Sequence, residues 1–256
     1  TTISGGGTPT VNTTGTQIYS DVVTLSADTE LEGSTVTFNQ SVVGGAFTLT
    51  ITGNAVFGDQ AADDISTGTL LVTGTTTVNA ATVSTGAATQ TYNGDVTLTT
   101  GVNFTGMTVQ FDEDILGGAN TLTITGDAVL GSAADDAVTS GILLITGAST
   151  VNAGTVITAG ATQTYVGAVT LGSDVTQTGT TITFNGTLNG TGDGTESLAI
   201  VGDAVFGNDG TDTVGAGTAP ESLSVTGATT INGASITTST AGPGTGSQTY
   251  TGGVTL

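Results

Sequence analysis

The 256-residue sequence predicts an all-β fold, a right-handed parallel β-helix wound through a repeated unit. Three observations predict it. A unit of about 73 residues recurs along the chain. Short apolar triplets, such as Val23-Thr24-Leu25 and Leu49-Thr50-Ile51, alternate with the period of two that marks a half-buried strand. No stretch sustains a helical period, while Gly, Asn and Asp punctuate the triplets as turn formers.

Gln-x-Tyr heads each unit, at Gln17-Ile18-Tyr19, Gln90-Thr91-Tyr92, Gln163-Thr164-Tyr165 and Gln248-Thr249-Tyr250. The first two intervals between heads are equal, and the third is longer. Residues 1–16 read as the tail of a preceding repeat and 17–89 as the first repeat. Residues 90–162 and 163–247 are the second and third, and 248–256 begin a following one, all in one continuous solenoid. Within the first unit the strands run Val23-Thr24-Leu25, Val36-Thr37-Phe38, Leu49-Thr50-Ile51, Ala55-Val56-Phe57-Gly58 and Leu71-Val72-Thr73-Gly74, closing at Val78-Asn79. Val and Thr suit these places because branched side chains fit the pleat. Longer loops, at 207–220 and 238–246, lengthen the third unit.

Leu98, Leu122, Leu143 and Leu171 divide a unit into three steps of similar length. That spacing predicts three coils of roughly 24 residues per repeat, stacked at ~4.8 Å. Ile124-Thr125-Gly126-Asp127-Ala128-Val129 resembles Ile145-Thr146-Gly147 through Val151 in the same unit, as a solenoid's sub-repeat would. Tandem β-sandwich domains are the alternative, though a sandwich usually has a larger core with an aromatic anchor. Asn79, Asn152 and Asn232 are expected in left-handed turns.

Composition excludes much chemistry. Lys, Arg, His, Cys and Trp are absent, and 21 acidic residues set the formal charge at −21. There is no imidazole or thiol for a nucleophile pair or a zinc site. Without basic side chains, phosphate neutralisation and nucleic-acid binding lose their main source of affinity. No stretch approaches the ~18 apolar residues of a membrane-spanning helix. Disorder is rejected because hydrophobic content is 36% and mean hydropathy is +0.26.

The phrase Gln-x-Tyr-x-x-x-Val-Thr-Leu, followed by Val-Thr-Phe and Leu-Thr-Ile-x-Gly-x-Ala-x-Phe-Gly, resembles the strand repeats of filamentous-haemagglutinin-like and autotransporter-like bacterial surface proteins. The resemblance covers essentially the whole chain. It implies a right-handed β-helix shaft, an extracellular or cell-surface location and a structural role. It carries over no catalytic residues.

Acidic loops are the first candidate site. Asn54, Asp59, Asp63 and Asp64 align with Asp127, Asp135 and Asp136, and with Asp203, Asp209 and Asp212. Such clusters could supply the oxygen ligands that Ca²⁺ takes. Their spacing matches no EF-hand, and solvated loop carboxylates are the plainer reading. Asp112, Glu113 and Asp114 could suggest glycoside hydrolysis, but the other units lack them and the reaction needs two carboxylates at a set separation. Gly5-Gly6-Gly7 and the stretch 242–246 precede no helix and carry no Lys, so they read as turns, not phosphate loops. The pairs Thr48/Thr50 and Thr121/Thr123 raise ice binding, which Ser197-Leu198-Ala199 interrupts. The recurring Gln-Tyr pair is either a sugar-binding patch or a Tyr packed at a corner with Gln on the backbone.

The expected function is structural and non-enzymatic: an extracellular shaft segment of a large adhesin-like surface protein. The alternative is a subunit of a filament, sheath or surface layer, joined end to end by β-strand addition. Expected partners are copies of itself or flanking repeats, with a surface polysaccharide as a further candidate. No cofactor is expected beyond possible Ca²⁺.

Overall fold

A computed structural model describes residues 1–4, 11–239 and 246–256. Gly5-Gly6-Gly7 and positions 242–245 lie outside the described residues. The described chain forms 31 short strands and no helix. The strands pair in parallel and stack as a β-solenoid of about 11 turns. The chain divides into two compact units, Thr1–Asp127 and Ala128–Leu256.

In the first unit each coil has three sides, and each side builds one ladder. Gln17, Val36, Ala55, Thr76, Val96 and Ile115 stack in order along the first side. A coil here takes about 20 residues, the separation of Gly53 from Thr73, which bonds it from the next coil. Val23, Val42, Ile65, Val83 and Phe104 form the second ladder. Val11, Leu31, Ile51, Val72, Tyr92 and Phe111 form the third. The second unit is built the same way. Val138, Val156, Gln177, Ile200, Val225 and Tyr250 stack on one side. Ile145, Tyr165, Phe184, Phe206 and Ile231 stack on another.

Alternation decides what is buried. In Leu49–Phe57 and Val169–Leu171 the first and third residues of each triplet point inward, and the middle Thr or Val stays half-exposed. The aromatic residues stack along the core. Tyr19, Phe38 and Phe57 have ring centroids 5.3 and 6.1 Å apart, and Tyr165, Phe184 and Phe206 stand at 5.3 and 5.6 Å. Tyr92 stacks on Phe111 at 5.2 Å, and Phe104 meets both rings edge-on. Burying each such ring contributes about 1.5–3 kcal/mol. Each coil gains this only against its neighbours, as solenoids do.

The repeat and the coil do not coincide. In the first unit Thr76 lies three coils along the ladder that starts at Gln17. Gln90 lies two sides further on, stacked between Leu70 and Val109. In the second unit Gln163 leads through Ile182 and Ala204 to Thr229, and Gln248 again falls two sides beyond, on Leu223. One repeat therefore spans three coils and two additional sides. The coil is shorter than the leucine spacing predicts because those leucines do not share a ladder. Leu143 stacks on Gln163, whereas Leu171 stacks on Val151. The third repeat adds no coil; it lengthens coils. Leu198, Leu223 and Gln248 stack in order there, and Asn232 reaches Gly207 across 25 residues.

Corners are sharp where glycines meet. The long strands Thr29–Phe38 and Val175–Phe184 shift register on their neighbours between Glu32 and Thr35, and between Thr178 and Thr181. Gly53 there has φ of 128°, and a Cβ on it would stand 1.8 Å from the Gly33 carbonyl oxygen. Only glycine permits that approach.

Candidate functional site

The acidic turns are built alike in all three repeats. Each starts at a left-handed glycine, Gly58, Gly131 or Gly207. A carboxylate then folds back on the turn. Asp63 Oδ2 accepts the Asp59 and Gln60 amides at 3.1 and 3.2 Å, and Asp136 Oδ2 accepts those of Ser132 and Ala133 at 2.7 and 2.8 Å. Asp212 does the same for Asn208 and Asp209, at 3.0 and 3.3 Å. Asn79, Asn152 and Asn232 each clamp the turn below, donating Nδ2–H to the carbonyl of Gly58, Gly131 and Gly207. These asparagines thus act through their side chains.

The sequence-aligned acids divide by position. Asp63 and Asp136 are buried, while Asp59, Asp64, Asp135 and Asp209 are exposed. The hydroxyl and amide of Thr211 both donate to Asp209 and hold its carboxyl below the ordinary carboxylate value. Asp203 sits at a corner and accepts the Ala228 amide at 2.8 Å, as Asn54 accepts that of Thr75. The strand segment from Asp203 to Phe206 separates it from the turn by about 13 Å. Asp127 holds the corresponding corner place at Gly126. Among the described residues, no three acidic side chains come together as a group that could hold a metal.

The Gln-Tyr pair is a buried staple. Tyr92 donates its hydroxyl to Gln90 Oε1 at 2.9 Å, and Gln90 Nε2 donates to the carbonyls of Val83 and Thr105. Gln163 repeats this with Tyr165, Val156 and Thr178. The Thr105 and Thr178 carbonyls lie beside the corner glycines Gly106 and Gly179, so the amide serves backbone groups at the bend. Tyr92 and Tyr165 are fully buried, and burial pushes both hydroxyls above the ordinary value of 10.0. In these two repeats the pair packs and bonds the corner, the second of its two expected roles; Tyr19 and Tyr250 are half-buried and Gln248 is exposed.

The remaining candidates separate on position. Thr50 stacks between Glu30 and Leu71, so the Thr-x-Thr pairs build no continuous threonine row. Asp112 lies in a turn, where it accepts a bond from Gln110 at 2.6 Å. One feature had no marker in the sequence: an open groove of about 530 Å³ in the second unit, lined by Asp174, Asp193, Glu196 and Glu221. Asp174 accepts the Ser197 amide at 2.8 Å. Glu196 accepts the Thr191 amide at 3.0 Å and the Thr191 hydroxyl. These acids lie on neighbouring coils, separated in sequence by irregular loops. No family model, curated protein or solved structure matches this chain.

Proposed function

We propose that the chain is a non-catalytic shaft segment of a large extracellular, adhesin-like surface protein. One observation carries the reading: the first and third repeats each advance two sides beyond whole coils, so equivalent residues change sides. An array for a repeated ligand would keep equivalent residues on one side. What recurs instead is internal: the Gln-Tyr staple, the aromatic stack, the corner glycines and the carboxylate-capped turn. Repetition preserves the means of building coils, which is what a shaft needs. The absence of Lys and Arg also removes every trypsin site, an advantage for an exposed fibre.

Antibody labelling of intact source cells tests the reading, together with the mass of the denatured native polypeptide. Surface labelling with a mass several times 24.7 kDa supports a shaft segment. Surface labelling with a mass near 24.7 kDa replaces it with the filament subunit. Labelling only after lysis sinks both.

A further inference from the structure

The three repeats are controls for one another, and the third departs from the other two inside its core. Leu31 and Phe104 fill one internal position in the first two repeats, both fully buried. The third has Gln177 there, equally buried. Its Nε2 donates to the Tyr165 hydroxyl at 3.0 Å, but its Oε1 has no partner, an unpaired amide oxygen where the first two repeats have carbon. Unpaired hydroxyls are buried in all three repeats, at Thr67 and Thr76, at Ser140 and Ser149, and at Thr229. The Tyr165–Gln163 bond is 3.4 Å, against 2.9 Å for Tyr92–Gln90. A second departure is at Gly233, where the other repeats bury the methyls of Ala80 and Ala153. A small apolar pocket of about 10 Å³, open on one side, remains beside it, framed by Phe184, Phe206, Val214 and the half-buried Ile231 and Ile236. The Asp212 carbonyl oxygen stands 2.6 Å from where a Cβ would sit, so the turn blocks a methyl. Third, the coil from Gly207 to Asn232 is longer than the equivalent coils from Gly58 to Asn79 and from Gly131 to Asn152.

An unpaired buried acceptor and the loss of a packed methyl both lower local stability, and longer loops leave fewer core residues per length of chain. We propose that the third repeat is the yield point of the solenoid: its strands open while the equivalent strands of the first two repeats stay closed. That this lets a shaft extend under load rests on the function proposed above; the local opening does not.

Native-state hydrogen exchange on the whole chain, read by mass spectrometry, tests it. Amides of Val175–Phe184 and Ser197–Phe206 are expected to exchange about ten- to a hundredfold faster than those of Thr29–Phe38 and Leu49–Phe57. The first repeat is the proper control, since both segments lie a few coils from a described end. Gln177→Leu is expected to slow exchange in the third repeat by about tenfold and leave the first unchanged. Phe104→Gln, the reverse change, should speed exchange in the second. Equal protection of equivalent strands, or exchange unmoved by Gln177→Leu, overturns the proposal. Either result leaves the cell-surface test of the shaft untouched.

Discussion

At Gly53 and Gly202 the backbone lies at φ of 128° and 142°, and a neighbouring carbonyl oxygen stands within 2.0 Å of any Cβ. Strain at such a φ alone costs about 1–3 kcal/mol, and the clash adds to it. Gly53→Ala should therefore lower the thermal midpoint sharply, whereas Gly45→Ala, also at positive φ but with open space around it, should cost only the strain. A second constraint is a hydroxyl. Thr76, Ser149 and Thr229 occupy equivalent internal places, and none of their hydroxyls has a partner. Burying an unpaired hydroxyl costs about 1–3 kcal/mol. Thr76→Val keeps the shape and should raise stability by about 1 kcal/mol in denaturant unfolding. The turn carboxylates were visible as aligned aspartates, but only their folded partners distinguish Asp63, which caps its own turn, from exposed Asp64.

At the level of elements, the aromatic stacks and their staples hold the coils. Tyr92 and Tyr165 are buried as neutral hydroxyls whose pKa is raised in the fold. A raised folded pKa means that their contribution is complete below the unfolded value near 10.0 and is lost as pH rises beyond it. Thermal midpoints should be flat between pH 7 and 9 and fall above 10, and Tyr92→Phe with Tyr165→Phe should blunt the alkaline fall. Removing the amide of Gln90 takes a donor from the Val83 carbonyl and the acceptor from the Tyr92 hydroxyl, while the Thr105 carbonyl keeps the Thr85 amide. Gln90→Leu should cost about 2–3 kcal/mol by denaturant unfolding. The strands were legible because Val-Thr-Leu and Leu-Thr-Ile state their buried sides by alternation. The staple was legible as a recurring pair, though not its target: the Thr105 carbonyl lies on the next coil.

For the whole molecule, charge and modularity are the controlling facts. With 21 acids and no basic side chain, every ionised side chain repels every other. Raising monovalent salt screens this repulsion and should raise the thermal midpoint, with no plateau at low concentration. EDTA separates screening from binding: an unchanged midpoint at constant ionic strength means that the acidic turns hold no structural Ca²⁺. Because one repeat replaces another in kind, deleting residues 90–162 puts Gln163 where Gln90 stood, with the same partners to meet. That deletion should fold with an undiminished β signal per residue by circular dichroism. Deleting only 90–122 joins unlike sides and should not.

From the amino-acid order alone came the all-β class, the repeat heads and the inward and outward residues. These follow from local rules: a period of two, branched residues in strands, and turn formers between them. The length of a coil and the side on which each strand lies came only from the tertiary structure. Alternation determines which face of a strand is buried, but not how far the chain travels before it lies above itself. Loops such as 67–69 and 215–221 set that distance, and they vary in length without disturbing the strands. Three similar sides let a repeat close on a different side each time, so Leu98, Leu122, Leu143 and Leu171 match in sequence without sharing a ladder.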